Sequence, residues 1–275
     1  MLNRTGSPWL IDRGVARDLA ALVGWAPGTG ATALVGALAE QVPSGTLAKR
    51  AAVAAGEVPP GADPEAIARR IVDDRNSGRP TPSWSCWALC TVMAALVATL
   101  DGVPVRVAAT RRIDDGSPPV DLHSVVVVDA TICDPFFASV VPGPGVDEVV
   151  GVHRGKWSRR TDEADGRWSL EVGDGRWPRR LAYRLVAPTL DGDDVRALCA
   201  VSVTHSGAPT GPTAALWRAD RATDVWAHAV GGAEVREWRR DAPDAVWEGA
   251  ETRSSHPTWE AAAADFAVRT GISVA

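Results

Sequence analysis

The feature that most constrains the fold is a change of period at residue 102. From Cys86 the apolar positions Leu89, Cys90, Met93, Ala94, Val97 and Leu100 recur with helical spacing. Asp101-Gly102 ends that helix, and Pro104 cannot continue it. Downstream the pattern turns to strands. Residues 103–110 alternate, 122–128 (LHSVVVV) are rich in β-branched side chains, and 131–137 follow after a very short connection. Upstream, 13–24, 30–42 and 63–80 carry helical periodicity. In the last of these Asp63 is placed to cap, Pro64 takes the first helical position, and Gly78 with Pro80 ends the run. A hairpin is expected over 167–186, short strands at 215–219, 224–230 and 234–238, and a closing helix over 256–271. Helices first, strands next and mixed elements last predict an α+β fold rather than repeated βαβ units.

Composition narrows the classes of function. A chain of 275 residues, 45% hydrophobic and 23% charged, has the make-up of a soluble globular protein with a sizeable core. A net charge of -5 gives no reason to expect a nucleic-acid partner. The longest apolar run, 92–100, is too short to span a bilayer, and the first residues lack the apolar run of a signal peptide. A cytoplasmic protein without a membrane partner is expected. The Arg-rich pieces at 155–160 and 176–180 read as solvated faces. The run GTGATA at 28–33 mimics a dinucleotide loop, but no strand precedes it, and it reads as a helix start. Twelve tryptophans stand against one tyrosine, and most are expected in the core or in pocket walls.

The four cysteines, Cys86, Cys90, Cys133 and Cys199, form neither a CxxC pair nor a disulfide framework. A lone cysteine in a reducing compartment is either packing or chemistry. Cys86 lies in the first turn of its helix, behind Ser83 and Ser85, either of which could cap it. There the unpaired N–H groups and the helix dipole favour a thiolate, whereas Cys90 sits one turn further in. A thiolate nucleophile needs a base and the base needs an orienter. His123 is the histidine in a strongly predicted downstream strand; His153, His205, His228 and His256 have no evident companions and read as surface or structural. If Asp129-Ala130 is a two-residue turn, Val127 pairs with Ile132 and Val125 with Asp134. His123 and Asp134 then share a face, diagonal neighbours at about 7 Å between Cα atoms. A three-residue loop would send Asp134 to the other face. Asp114, Asp115 and Asp121, in the loop before His123, are rival orienters. The same residues lack any recognised zinc spacing, so no metal is expected.

The run SCWALCTVMAALVATLDGVPVRVAATRR, followed by DLHSVVVVDATICDPFF, resembles the core of the papain-like transglutaminase and arylamine N-acetyltransferase superfamily. In that family a cysteine opens a helix, a G-x-P-x-R strand follows, histidine lies on the next strand and aspartate on the one after. These map onto Cys86, Gly102 to Arg106, His123 and Asp134. The resemblance implies a helical bundle over 1–101, an antiparallel β-barrel or sheet over 102–190 and a C-terminal α/β lid over 191–275. It implies a catalytic Cys86, His123 and Asp134. Where the acetyltransferases carry R-G-G-x-C-x-E, this chain has Pro82-Ser83-Trp84-Ser85-Cys86-Trp87-Ala88. The missing glycines imply a reshaped pocket, with Trp84, Trp87, Phe136 and Phe137 as candidate walls. The chain looks more similar to divergent relatives that release polyketide or polyketide–peptide chains as amides, or as tetramic acids by Dieckmann cyclisation. Those take their acyl group from a phosphopantetheine thioester on an acyl or peptidyl carrier protein and need no other cofactor. Acetyl-CoA-dependent arylamine acetylation, transglutaminase-like or protease-like amide chemistry, and a binding protein with a dead site are the alternatives.

Overall fold

A computed structural model describes residues 8–57, 60–113, 122–141, 143, 148–150, 156–174, 181–205, 214–218, 225–239 and 251–274. The first layer is helical: α1 (Arg13–Val23), α2 (Ala31–Gln41), the two-residue strand β1 (Ser44–Gly45), α3 (Leu47–Ala54), α4 (Pro64–Asn76) and α5 (Cys86–Leu96). A π-helical turn over Val97–Asp101 extends α5, and Gly102 stops it in the left-handed conformation at φ 66. Asp63 caps α4 through the Ala66 N–H, and Pro64 begins it, as its sequence signals predict. Gly30, at φ 90, precedes α2, so the glycine-rich run is a helix start.

The second layer is built from β2 (Val105–Arg112), β3 (Leu122–Val128), β4 (Thr131–Asp134), β5 (Ser139–Val141), β6 (Glu148–Val150), β7 (Lys156–Asp162), β8 (Trp168–Asp174) and β9 (Leu181–Leu190). They form one sheet in the order β5-β4-β3-β2-β9-β8-β7-β6, antiparallel throughout. The Ser158 hydroxyl of β7 donates to the Val140 carbonyl of β5 at 3.3 Å, so the sheet curls until it nearly closes. The third layer holds α6 (Gly192–His205), β10 (Ala214–Arg218), β11 (Val225–Gly231), β12 (Glu234–Arg239), β13 (Glu251–Ser255) and α7 (Trp259–Thr270). Its sheet runs β1-β10-β11-β12-β13, so a strand from the helical layer forms one edge. The mixed α+β architecture agrees with the reading from element order.

Several details differ from that reading. The strand expected over 131–137 ends at Asp134, and 135–138 turn away. Of the Arg-rich stretch 155–160, residues 156–160 lie in β7, where the Arg159 side chain is partly exposed. The helices at 47–54 and 192–205 lie outside the runs read as helical from periodicity; Asp191 caps the second by accepting from the Asp193 and Asp194 N–H groups, each at 2.9 Å. The second Arg-rich piece, 176–180, lies outside the described residues. Among the described residues no helix is long and apolar enough to cross a membrane.

The core explains the arrangement. Every residue of α5 from Trp87 to Leu96 is buried, because α1, α2 and α4 pack on one side of it and β2 and β3 on the other. A helix apolar on all faces demands such a place. One cluster, including Leu19, Leu34, Ile71, Leu89, Met93 and Val126, therefore joins helices to sheet. A second, with Val125, Ile132, Leu170 and Leu185, fills the curled sheet. A third, with Leu47, Val235 and Phe266, seats α7 on the C-terminal sheet.

The β3–β4 hairpin sets the site. Val126 pairs with Cys133, Val127 with Ile132 and Val128 with Thr131, which leaves Asp129-Ala130 as a two-residue turn. This is the register the alternation predicts. Asp129 lies at φ 52, where a short polar side chain is tolerated and a β-branched one is not. Asp129→Val is expected to lower unfolding free energy by about 1–2 kcal/mol. Asp129→Gly is expected to leave it unchanged or raise it. Urea denaturation midpoints check both.

Candidate active site

The approach to Cys86 is held from both sides. The Trp84 N–H donates to the Pro43 carbonyl and the Gly45 N–H to the Trp84 carbonyl, each at 2.9 Å. The Leu47 N–H donates to the Ser83 hydroxyl at 3.1 Å and the Ala48 N–H to the Ser83 carbonyl at 3.0 Å. Ser83 thus serves the first turn of α3. Ser85, extended at φ -70 and ψ 166, caps α5 by accepting from the Ala88 N–H. Cys86 is the first residue of the helix, and the N–H groups of this first turn have no intrahelical acceptor.

The hairpin register brings His123 and Asp134 together. His123 Nε2 lies 2.7 Å from Asp134 Oδ2. Asp134 Oδ1 accepts from the main-chain N–H groups of Phe136 and Phe137, each at 3.0 Å. Both side chains are buried, Asp134 completely. The rivals Asp114, Asp115 and Asp121 fall outside the described residues. With Nε2 taken by Asp134, the ring nitrogen left for Cys86 is Nδ1, and Cys86 lies close enough to His123 for each to shift the other's ionisation.

Electrostatics follow from that chain of contacts. Burial by itself disfavours the His123 cation, but the Asp134 charge, the Cys86 charge and the hydrogen bonds to both overcome it and raise its pKa to about 10. Burial likewise disfavours a Cys86 thiolate. The His123 charge and hydrogen bond, with smaller help from the main chain and hydroxyl of Ser124, outweigh it and lower the pKa. The other cysteines go the opposite way. Burial lifts Cys90 well above the ordinary range, and lifts Cys133 and Cys199 to about 12. Cys86 is also the only one of the four that is not fully buried. Of the four thiols, Cys86 alone is shifted toward the thiolate, and its residue alone is partly exposed.

Aromatic rings surround the histidine. Phe136 and Phe137 lie 5.8 and 5.0 Å from the imidazole, centroid to centroid, and Tyr183 lies 4.8 Å away. Two of the four candidate wall residues therefore touch His123. Trp87 is packed in the helix–sheet core. Trp84 lines a separate cavity of about 540 Å³ with Leu47, Ala48, Ile67, Arg70 and Pro82, away from the three site residues. Tyr183 escapes sequence reasoning because only the pairing of β9 with β2, Tyr183 opposite Arg112, brings it near. Its one signal is that it is the sole tyrosine.

Two further histidines do have companions, contrary to expectation. Buried His228 meets Glu237 at 3.1 Å, and His256 meets Asp265 at 3.1 Å. Arg269 bonds both carboxylates, so these residues tie α7 to the sheet. His153 lies outside the described residues. Among those described, no three His, Cys, Asp or Glu side chains gather as a metal-binding group.

No family model and no curated protein matches the sequence. Solved structures do. The arylamine N-acetyl transferase of M. smegmatis superposes with a TM-score of 0.66 at 18% identity, covering 96% of this chain and 93% of that one. The M. tuberculosis arylamine N-acetyltransferase gives 0.63 at 16%, covering 93% and 92%. That of Salmonella typhimurium gives 0.62 at 13%, covering 96% and 92%. Nearly the full length of each chain is shared, and at these identities what is shared is the architecture: this chain has the arylamine N-acetyltransferase fold.

Proposed function

We propose that the protein is a cysteine-dependent acyl-thioester enzyme. The observation that carries this reading is Cys86 at the head of α5 set beside His123, whose Nε2 Asp134 holds at 2.7 Å. The Cys86 thiolate attacks the thioester carbonyl of an acyl donor. First-turn N–H groups of α5 stabilise the oxyanion. The carbon–sulfur bond to the donor breaks, and His123 gives its proton to the departing thiolate. The acyl group now sits on Cys86 and His123 is neutral. Asp134 stays ionised and keeps the ring aligned.

For the second half we assign a carrier-protein-bound polyketide or polyketide–peptide chain as the donor. Neutral His123 removes the proton from the acidic carbon between two carbonyls. The enolate carbon attacks the Cys86 thioester, a carbon–carbon bond forms, and the Cys86 thiolate leaves as the ring is released. Amide formation differs only in that an amine attacks and yields its proton to His123. Ser83 and Trp84 support this assignment. They occupy places where the acetyltransferases have glycines, and here Ser83 is bonded to the first turn of α3 and Trp84 is buried beside a cavity. A second reading, acetyl transfer from acetyl-CoA to an arylamine, is favoured by the likeness to solved enzymes of that name.

Intact-mass measurement separates the readings. An acyl adduct is expected on the wild type and none on Cys86→Ala, with turnover down at least about a thousandfold. A β-ketoacyl carrier protein that gives adduct and ring product without added amine supports cyclisation. Adduct from acetyl-CoA alone, discharged rapidly by an arylamine, supports acetyl transfer; adduct from neither donor sinks the enzyme reading.

The pH dependence has a definite sign. The thiolate–imidazolium pair exists above the lowered Cys86 pKa and below the raised His123 pKa of about 10. Acylation is expected to fall as pH drops through the first and the sulfur protonates. It falls again as pH rises through the second and the leaving group loses its proton donor. In His123→Ala, neutral-pH alkylation of Cys86 should slow at least about tenfold. Pre-steady-state acylation and iodoacetamide rates measure both.

A further inference from the structure

Cys90 has no part in the acyl chemistry, yet it stands one helical turn from Cys86 on the face that meets β3. The hairpin explains why. A two-residue turn makes Val128 and Thr131 a hydrogen-bonded pair, and alternation makes Val126 and Cys133 the next. The following such pair would join Ser124 to residue 135. Residue 135 is a proline, which has no N–H to donate, and β4 has already ended at Asp134. The N–H and carbonyl of Ser124 point to that open side, because neighbouring His123 directs its carbonyl to β2, where the Thr110 hydroxyl donates to it at 3.0 Å.

Helix α5 fills the gap. The Cys90 thiol donates to the Ser124 carbonyl at 3.2 Å. The Ser124 N–H, on the same side of the strand, lies close enough to the Cys86 sulfur to favour its thiolate. Residues four apart on a helix lie one turn apart, so two cysteines at that spacing reach the N–H and carbonyl of one strand residue. The Ser124 hydroxyl is fully buried, has no nitrogen or oxygen partner, and faces the same two sulfurs.

We infer that Cys90 and Ser124 are positioning residues: the pair locks the first turn of α5 onto the open edge of β3, so that the Ser124 main chain holds the Cys86 thiolate beside His123. This rests on the acyl-enzyme reading above and assigns residues to it that do not touch substrate.

The test follows iodoacetamide alkylation of Cys86 across pH by peptide mass, with thermal melts as a check on folding. In Cys90→Ala the Ser124 carbonyl loses its donor and the first turn of α5 its tether to β3. The alkylation midpoint should rise, and the neutral-pH rate should fall about tenfold. Cys90→Ser restores a donor and should return to within about threefold of wild type. Ser124→Ala keeps the main-chain bond and should give a smaller rise of the midpoint. If Cys90→Ala does not fold, Ser124→Ala and Cys90→Ser decide. Wild-type midpoints in both Cys90→Ala and Ser124→Ala overturn this inference and leave the acyl-enzyme reading intact. A wild-type Cys86 that is unreactive at neutral pH overturns both.

Discussion

A helix buried on every side has one place left for polarity, its end. Residues 87–96 of α5 are enclosed between helices and sheet, so α5 cannot rotate or slide without exposing apolar surface or opening a cavity in a close-packed core. Its first residue is therefore presented at a defined point and angle. The helix layer and the sheet share a single core, and the sulfur sits where that core meets the polar ends of the strands. The rest of the site is arranged around this fixed point.

Charge at such a point is expensive to bury, and the structure offsets the cost by linking charges in series. Asp134 accepts two main-chain N–H groups as well as the imidazole. It faces His123, which in turn faces Cys86, and each neighbour stabilises the ionised form of the next. The Phe136, Phe137 and Tyr183 rings pack around the imidazole. Removing one member of the chain would leave a buried charge uncompensated. The C-terminal layer reaches this region as well. β1, which bridges to Trp84 just before the nucleophile, is an edge of the C-terminal sheet.

Much of the site was legible because its parts are local. A cysteine after Ser85 at the head of an apolar run reads as a capped helix start, and two residues between β-branched runs fix parity, so His123 and Asp134 fall on one face. Less was legible where signals are weak or distant. The helix at 47–54 takes its side-chain cap from Ser83, distant in sequence, and the one at 192–205, though capped by Asp191, lacks a strong apolar stripe. Tyr183 arrives through a strand pairing across more than 70 residues of chain. The partners of His228 and His256 likewise come from pairing and packing that periodicity does not encode.

The sequence by itself determined the α+β order and the helix that starts at Cys86, and it tied the common face of His123 and Asp134 to a two-residue turn that the structure then supplies. These rest on backbone periods, caps and turn lengths, which act over a few residues. Only the tertiary structure decided that Cys86 and His123 come together, that Trp84 and Trp87 pack away while Phe136 and Phe137 close on the imidazole, and that Cys90 takes up the Ser124 carbonyl. Those outcomes depend on how a helix and a sheet distant in sequence share one core, and burial of that shared apolar surface, not any local preference, selects the arrangement.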